Sequence, residues 1–130
     1  MGELDGQVAI VTGAGTGIGV SIARHLATAG AKLVVSAYNS FDGAKNLANS
    51  ISQNGGKAIA VESDFRDASN AASVVTTALE SFGRLDILVN NAGYTMDKAF
   101  IDCTEEDWDD LFNINLKSMF FTCSAAAPHL

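Results

Sequence analysis

Four short apolar runs, each followed by a segment of helix length, constrain the fold of this chain more than any other feature. The runs are Val-Ala-Ile-Val at 8–11, Leu-Val-Val at 33–35, Ala-Ile-Ala-Val at 58–61 and Ile-Leu-Val at 87–89. Each is too short for a helix and flanked by turn residues, which is how a strand covered on both faces reads. Between them, Ile18, Ile22, Leu26 and Ala29 recur at helical spacing until Gly30 stops the pattern. A second helix is expected over 44–53, ending at Gly55-Gly56, and a third over 69–82, ending at Gly83. A fourth should start after Thr104, an N-cap candidate with Asp107 three residues on. Its acidic first turn, Glu105-Glu106-Asp107, complements the helix dipole, and the helix should run towards Ala127.

Strand and helix alternating in this way, with right-handed crossovers, give a parallel sheet with helices on both faces. The expected class is therefore α/β: a doubly wound parallel sheet of Rossmann type, incomplete, with about four strands and four helices in strand order 3-2-1-4. Proline occurs once, at Pro128, and no Pro/Ser-rich linker divides the chain, so residues 1–130 read as one dinucleotide-binding domain. Such a sheet ends at a raw edge. On the last helix Leu111, Phe112, Ile114, Leu116, Met119, Phe120 and Phe121 cover more than one face, so a further part of the protein or a second subunit should pack there.

Charge removes several partners. Eight Lys and Arg against 15 Asp and Glu leave a formal charge of −7, with the cations scattered, which disfavours nucleic acid and anionic membrane surfaces. No apolar stretch approaches the roughly 20 residues of a bilayer span. The polar residues 1–7 leave no room for a signal peptide, and a cytosolic (cytoplasmic) address is expected. Cys103 and Cys123 lack metal-ligand spacing and are expected to be reduced, packed thiols, with no metal site. His25 and His129 are expected to be solvated.

The chemistry gathers at one edge. Thr12-Gly13-Ala14-Gly15-Thr16-Gly17-Ile18-Gly19 follows the first strand and opens the first helix. There the glycines let backbone approach a pyrophosphate, and the helix N-terminus supplies N–H donors to it. The glycine spacing is 13, 17 and 19, neither the GxGxxG fingerprint nor a P-loop, and taken alone it could be a merely flexible turn. Asp64-Phe65 follows the third strand, Asn90-Asn91-Ala92-Gly93 the fourth, and Asn113-Ile114-Asn115-Leu116 lies on the last helix. All fall at the carboxyl ends of strands or on a helix lining that edge, where open α/β sheets bind ligands.

In these four motifs the sequence resembles the short-chain dehydrogenase/reductase family, over about the first half of a typical member. The resemblance implies that Gly13, Gly17, Ile18 and Gly19 hold the pyrophosphate and adjacent ribose. It implies that Asp64 accepts the adenine amino group, with Phe65 presenting its backbone, and that Asn90, Asn91, Ala92 and Gly93 lie beside the adenosine ribose. Asn115 matches the family's helix asparagine, which supports a proton relay and is the one catalytic candidate. Other readings stay open: Asp64 as a turn residue, Asn90 or Asn91 as ties between strands, Asn115 as an amide satisfying helix backbone.

Cofactor choice turns on the end of the second strand, where an acid would accept the ribose 2′-hydroxyl and repel a 2′-phosphate. Here Tyr38, Asn39 and Ser40 follow Ala37 with no carboxylate. They resemble the group in hydroxynaphthalene-reductase-like and ketoacyl-reductase-like members, which favours NADP(H) over NAD(H). Against it, the glycine turn carries Thr16 where many NADP-binding members carry Arg or Lys. The implied reaction passes hydride between nicotinamide and a small-molecule ketone or secondary alcohol, in a homo-oligomer at full length. The family's Ser and Tyr-x-x-x-Lys lie beyond Leu130 in a typical member. The Tyr94 to Lys98 match falls in a loop, where nothing holds the pair on one face. The alternative is a truncated, inactive relative that binds nucleotide or serves as an assembly surface, and no turnover is expected of residues 1–130 alone.

Overall fold

The computed structural model describes residues 2–130. Strands β1 (Val8–Val11), β2 (Lys32–Ala37), β3 (Ala58–Glu62) and β4 (Ile87–Val89) form one parallel sheet in the order β3-β2-β1-β4, as the alternation requires. The central strand β1 is fully buried, which explains its unbroken apolar run. Helices α1 (Gly17–Thr28) and α2 (Phe41–Gln53) cover one face, over Ala9, Val11, Leu33 and Val35. On the other, Val8, Ile10 and Val34 meet α3 (Ser69–Phe82) and the C-terminal helical rod.

Several boundaries differ from expectation. β2 extends from Lys32 to Ala37 because β3 supplies ladder partners as far as Glu62. Helix α2 begins at Phe41 rather than residue 44: Asp42 stands in its first turn and the Phe41 ring packs against the core. Gly43 belongs to this first turn because a Cβ there would run into the Gly15 carbonyl. The fourth helix starts where expected. Thr104 Oγ1 accepts from the Asp107 amide at 3.1 Å and the Asp107 carboxylate accepts from the Thr104 amide at 2.9 Å, a reciprocal cap. The rod is not uniform, however: α4 (Glu105–Phe112) passes through a π-helical turn, Asn113–Lys117, into α5 (Ser118–Ala126).

Two other expectations need correction. Ile18 is 73% exposed and takes no part in the core; the stripe of α1 that packs inward is Gly19 and Ala23, flanked by Val20, Ile22 and Leu26. Cys103 and Cys123 are free thiols, as expected, yet both are exposed rather than packed, because the faces carrying them are uncovered. Those faces also expose Phe100, Ile101, Trp108, Leu116 and Phe120, so the unpartnered apolar surface foreseen for the last helix is present. No helix among the described residues is long and apolar enough to cross a membrane.

Candidate functional site

The carboxyl ends of β1, β2, β3 and β4 open into a cleft of about 530 Å³, within the range of small-molecule sites. Gly13, Tyr38, Asn39, Ser40, Asp64, Phe65, Ala92 and Gly93 line it, so eight of the residues singled out from the sequence converge. Gly17, Ile18, Gly19, Asn90, Asn91 and Asn115 lie outside this lining and form or brace its surroundings.

The floor is built by close backbone packing. Gly13 has φ +64° and its Cα faces the Ala92 backbone so closely that a Cβ would lie 2.7 Å from Ala92 Cα. A side chain on Gly19 would meet the Gly13 carbonyl, and one on Gly15 would meet Ser40. Gly17, at φ +57°, opens onto empty space at the start of α1. Its neighbour Thr16 makes no side-chain cap bond, so the first-turn amides, which have no acceptor within the helix, face that space uncapped.

Thr12 clamps the turn after β1 to the turn after β4. Its Oγ1 accepts from the Asn91 and Ala92 amides at 3.0 and 2.9 Å and donates to the Val89 carbonyl at 3.4 Å. Asn91 Nδ2 donates to the Gly13 carbonyl at 3.1 Å, so this side chain ties the two turns together. Asn90 points to α5 instead: its Oδ1 accepts from Thr122 Oγ1 at 2.7 Å and its Nδ2 donates to Cys123 Sγ at 3.3 Å. What this segment shows to the cleft is Ala92 and Gly93.

Asn115 sits in the π-helical turn and grips the irregular segment after Gly93. Its Nδ2 donates to the Tyr94 carbonyl at 2.8 Å and to the Leu111 carbonyl at 2.9 Å, while its Oδ1 accepts from the Tyr94 amide at 3.0 Å. An insertion of this kind re-aims a side chain and exposes helix carbonyls, and such turns are frequent at functional sites. Lys98, the second half of the Tyr-x-x-x-Lys match, pairs with Asp107 at 2.6 Å. That carboxylate holds its ammonium above the ordinary value, and the segment from Tyr94 to Lys98 has no regular structure that would align the two.

The wall that follows β3 contains a cation that sequence reasoning passed over. Arg66 donates from Nε to Asp64 Oδ1 at 3.0 Å and from Nη2 to Oδ2 at 2.7 Å, and its guanidinium lies 5.2 Å from the centre of the Tyr38 ring. This fork is the main reason the Asp64 carboxyl stays below its usual range, and Asp64 in turn keeps Arg66 above its own. The Asp-x-Arg spacing was visible, but only the turn after β3 brings the second residue back onto the first. Two hydroxyls along the lining, Ser36 Oγ and Ser63 Oγ, are buried without a partner. Unsatisfied buried hydroxyls are costly, and in a cleft wall they mark places for a polar ligand or water.

A glycine turn feeding an uncapped helix, at the point where the strand order reverses, defines the first half of a doubly wound α/β fold of Rossmann type. Residues 7–130 match the short chain dehydrogenase family, and the chain belongs to it. It is 43% identical to a hydroxynaphthalene reductase-like protein of Metarhizium brunneum, over 98% of this chain and 48% of the relative. Its fold is similar to that of a short chain dehydrogenase from Burkholderia cenocepacia in complex with NADP (TM-score 0.94, 38% identity, covering 98% of this chain and 52% of that one). It is also similar to a short chain dehydrogenase/reductase from Burkholderia phymatum in complex with NAD (TM-score 0.90, 29% identity, 100% and 46%). The chain spans about half the length of the curated relatives it matches.

Proposed function

We propose that this chain supplies the cofactor-binding half of an NADP(H)-dependent oxidoreductase that passes hydride between nicotinamide and a ketone or secondary alcohol. One observation carries the reading: the cleft takes its floor from Gly13 and one wall from Tyr38, Asn39 and Ser40, with no carboxylate at the end of β2. The residues fit the cofactor. The α1 amides beyond Gly17, together with Ile18 and Gly19, would hold the pyrophosphate, and the open space beside Gly17, where a Cβ would meet nothing within 4 Å, leaves room for it. Asp64 would accept from the adenine amino group beside the Phe65 backbone, and Ala92 and Gly93 would border the ribose. Asn115 would fix the segment next to the reacting end through Tyr94. The bound nicotinamide supplies the hydride. One solved neighbour is described with NADP and another with NAD, so the 2′-phosphate preference needs a direct test.

The test compares dissociation constants of NADPH and NADH for the purified protein by calorimetry. NADPH binding about tenfold tighter or more, a difference of about 1.4 kcal/mol, is the expected result, and tighter NADH binding overturns it. Turnover by residues 1–130 alone is not expected, because Lys98 is committed to Asp107 and no other Tyr-x-x-x-Lys occurs in them. Detectable NADPH oxidation across a panel of ketones, abolished by Tyr94→Phe, would contradict this.

The apolar surface at Trp108, Leu116 and Phe120 favours a second role, as an assembly face between subunits or against a further part of the protein. Sedimentation of the protein with and without Phe120→Asp tests the first: a smaller species for the variant is expected, and an unchanged mass would remove the role between subunits.

A further inference from the structure

We propose that Arg66 is the residue that recognises the 2′-phosphate of the cofactor, supplying the cation that the glycine turn lacks. This inference rests on the NADP(H) reading above. Arg66 is the one Lys or Arg among the residues lining the cleft, whose other charged members are Asp64 and Asp110. Without it, a phosphate dianion would enter a wall of purely negative charge.

The side chain is preset for the task. A guanidinium carries five N–H donors and two forked edges. Asp64 takes the edge formed by Nε and Nη2, which leaves the edge formed by Nη1 and the second Nη2 hydrogen without a protein acceptor among the described residues. That free edge has the geometry of a bidentate phosphate contact. Asp64 holds one side of the fork, and the Tyr38 ring supports the guanidinium against the segment Tyr38, Asn39 and Ser40, where the second strand ends. The hydroxyls and amide of that segment can donate to the same phosphate. Asp64 keeps a role of its own: Oδ1 accepts from the Arg66 amide and Nε, while Oδ2 accepts from Nη2 at 2.7 Å and shares the Nε hydrogen at 3.1 Å, a bifurcated contact that an amino group would replace.

The experiment measures dissociation constants of 2′,5′-ADP and 5′-AMP by calorimetry, for the purified protein and for R66Q, R66K and D64N. The ratio of the two constants isolates the 2′-phosphate from the adenine. R66Q should lower the preference for 2′,5′-ADP about tenfold, while 5′-AMP affinity stays within about twofold. R66K, with charge but no fork, should fall between, and D64N, which weakens the anchor that presets the guanidinium, should also lower the preference. The preference of the unmodified protein should weaken as salt is raised, and the R66Q residue of it should not. Equal weakening of both nucleotides by R66Q would overturn the proposal and make Arg66 a holder of Asp64. An unchanged ratio in R66Q would also overturn it while leaving the NADP(H) reading intact. If the unmodified protein shows no preference for 2′,5′-ADP, the NADP(H) reading fails, and this inference fails with it.

Discussion

Thr12→Val tests whether one hydroxyl holds the cleft together. Thr12 is 1% exposed, and valine matches its shape while removing the oxygen. That oxygen accepts from two backbone amides, Asn91 and Ala92, which lie 79 and 80 residues away in sequence. Losing it leaves two partly buried donors without an acceptor, at about 1–3 kcal/mol each, and the partial access to water places the sum near the lower end, about 2–4 kcal/mol. Thr12→Ser keeps the oxygen and loses one methyl, which costs about 1 kcal/mol. Urea unfolding followed by far-ultraviolet circular dichroism separates the two. With a urea slope of about 2 kcal/mol/M, the valine variant should unfold about 1–2 M earlier and the serine variant about 0.5 M earlier. A valine variant within about 0.5 kcal/mol of the unmodified protein, or a serine variant as unstable as the valine one, would refute the reasoning.

Gly13→Ala should cost about 2–4 kcal/mol, because a Cβ would stand 2.7 Å from Ala92 Cα at a positive φ; an unfolding free energy unchanged within about 0.5 kcal/mol would contradict that packing. Asn115→Ala should speed hydrogen exchange at the Tyr94 amide about tenfold or more, since that amide loses its acceptor, while amides of β1 keep their protection. Asp86 accepts from the Val8 amide at 2.8 Å and from Arg84, and the Arg84 fork, then the Val8 amide, hold its carboxyl below the ordinary value. A group depressed in the folded state contributes stability that is present above its unfolded pKa of about 3.9 and is lost as pH falls through the folded value. Asp86→Asn should therefore cost about 1 kcal/mol at pH 7, and the gap from the unmodified protein should close as unfolding is repeated from about pH 4 downwards.

The strands were legible because burial on both faces leaves an unbroken apolar run, as in Val8–Val11, which no other context explains as simply. The Thr104 cap was legible because its partners lie three residues apart and act locally. What escaped depends on contacts made at a distance. The start of α2 at Phe41 hinges on Gly43 fitting against Gly15, a contact that exists only when the glycine turn is folded over the end of β2. Ile18 has helical spacing to Ile22, yet it is exposed, because the face of the first turn of α1 that packs inward is the one carrying Gly19, against Gly13. The π-helical turn at Asn113–Lys117 leaves no periodic signal in five residues. The eight cleft-lining positions followed from where strands end. The reading of an asparagine as a tie holds for Asn91, which bonds to the Gly13 carbonyl, whereas the turn of Asn90 towards Thr122 on α5 is decided across the fold. Arg66 was missed because an Asp-x-Arg pair becomes a fork only on a turn that doubles back.

The most direct measurement is a titration of the ¹⁵N-labelled protein with NADP⁺, following backbone amide shifts. Saturable shifts at Gly13, Gly17, Ile18 and Gly19, with further shifts at Tyr38 to Ser40, Asp64 to Arg66 and Ala92 to Gly93, are the expected result. Those groups belong to the cleft and the turn that feeds it. Shifts confined to the exposed face around Trp108 and Phe120, or none at millimolar cofactor, would contradict the assignment of this edge as a dinucleotide site.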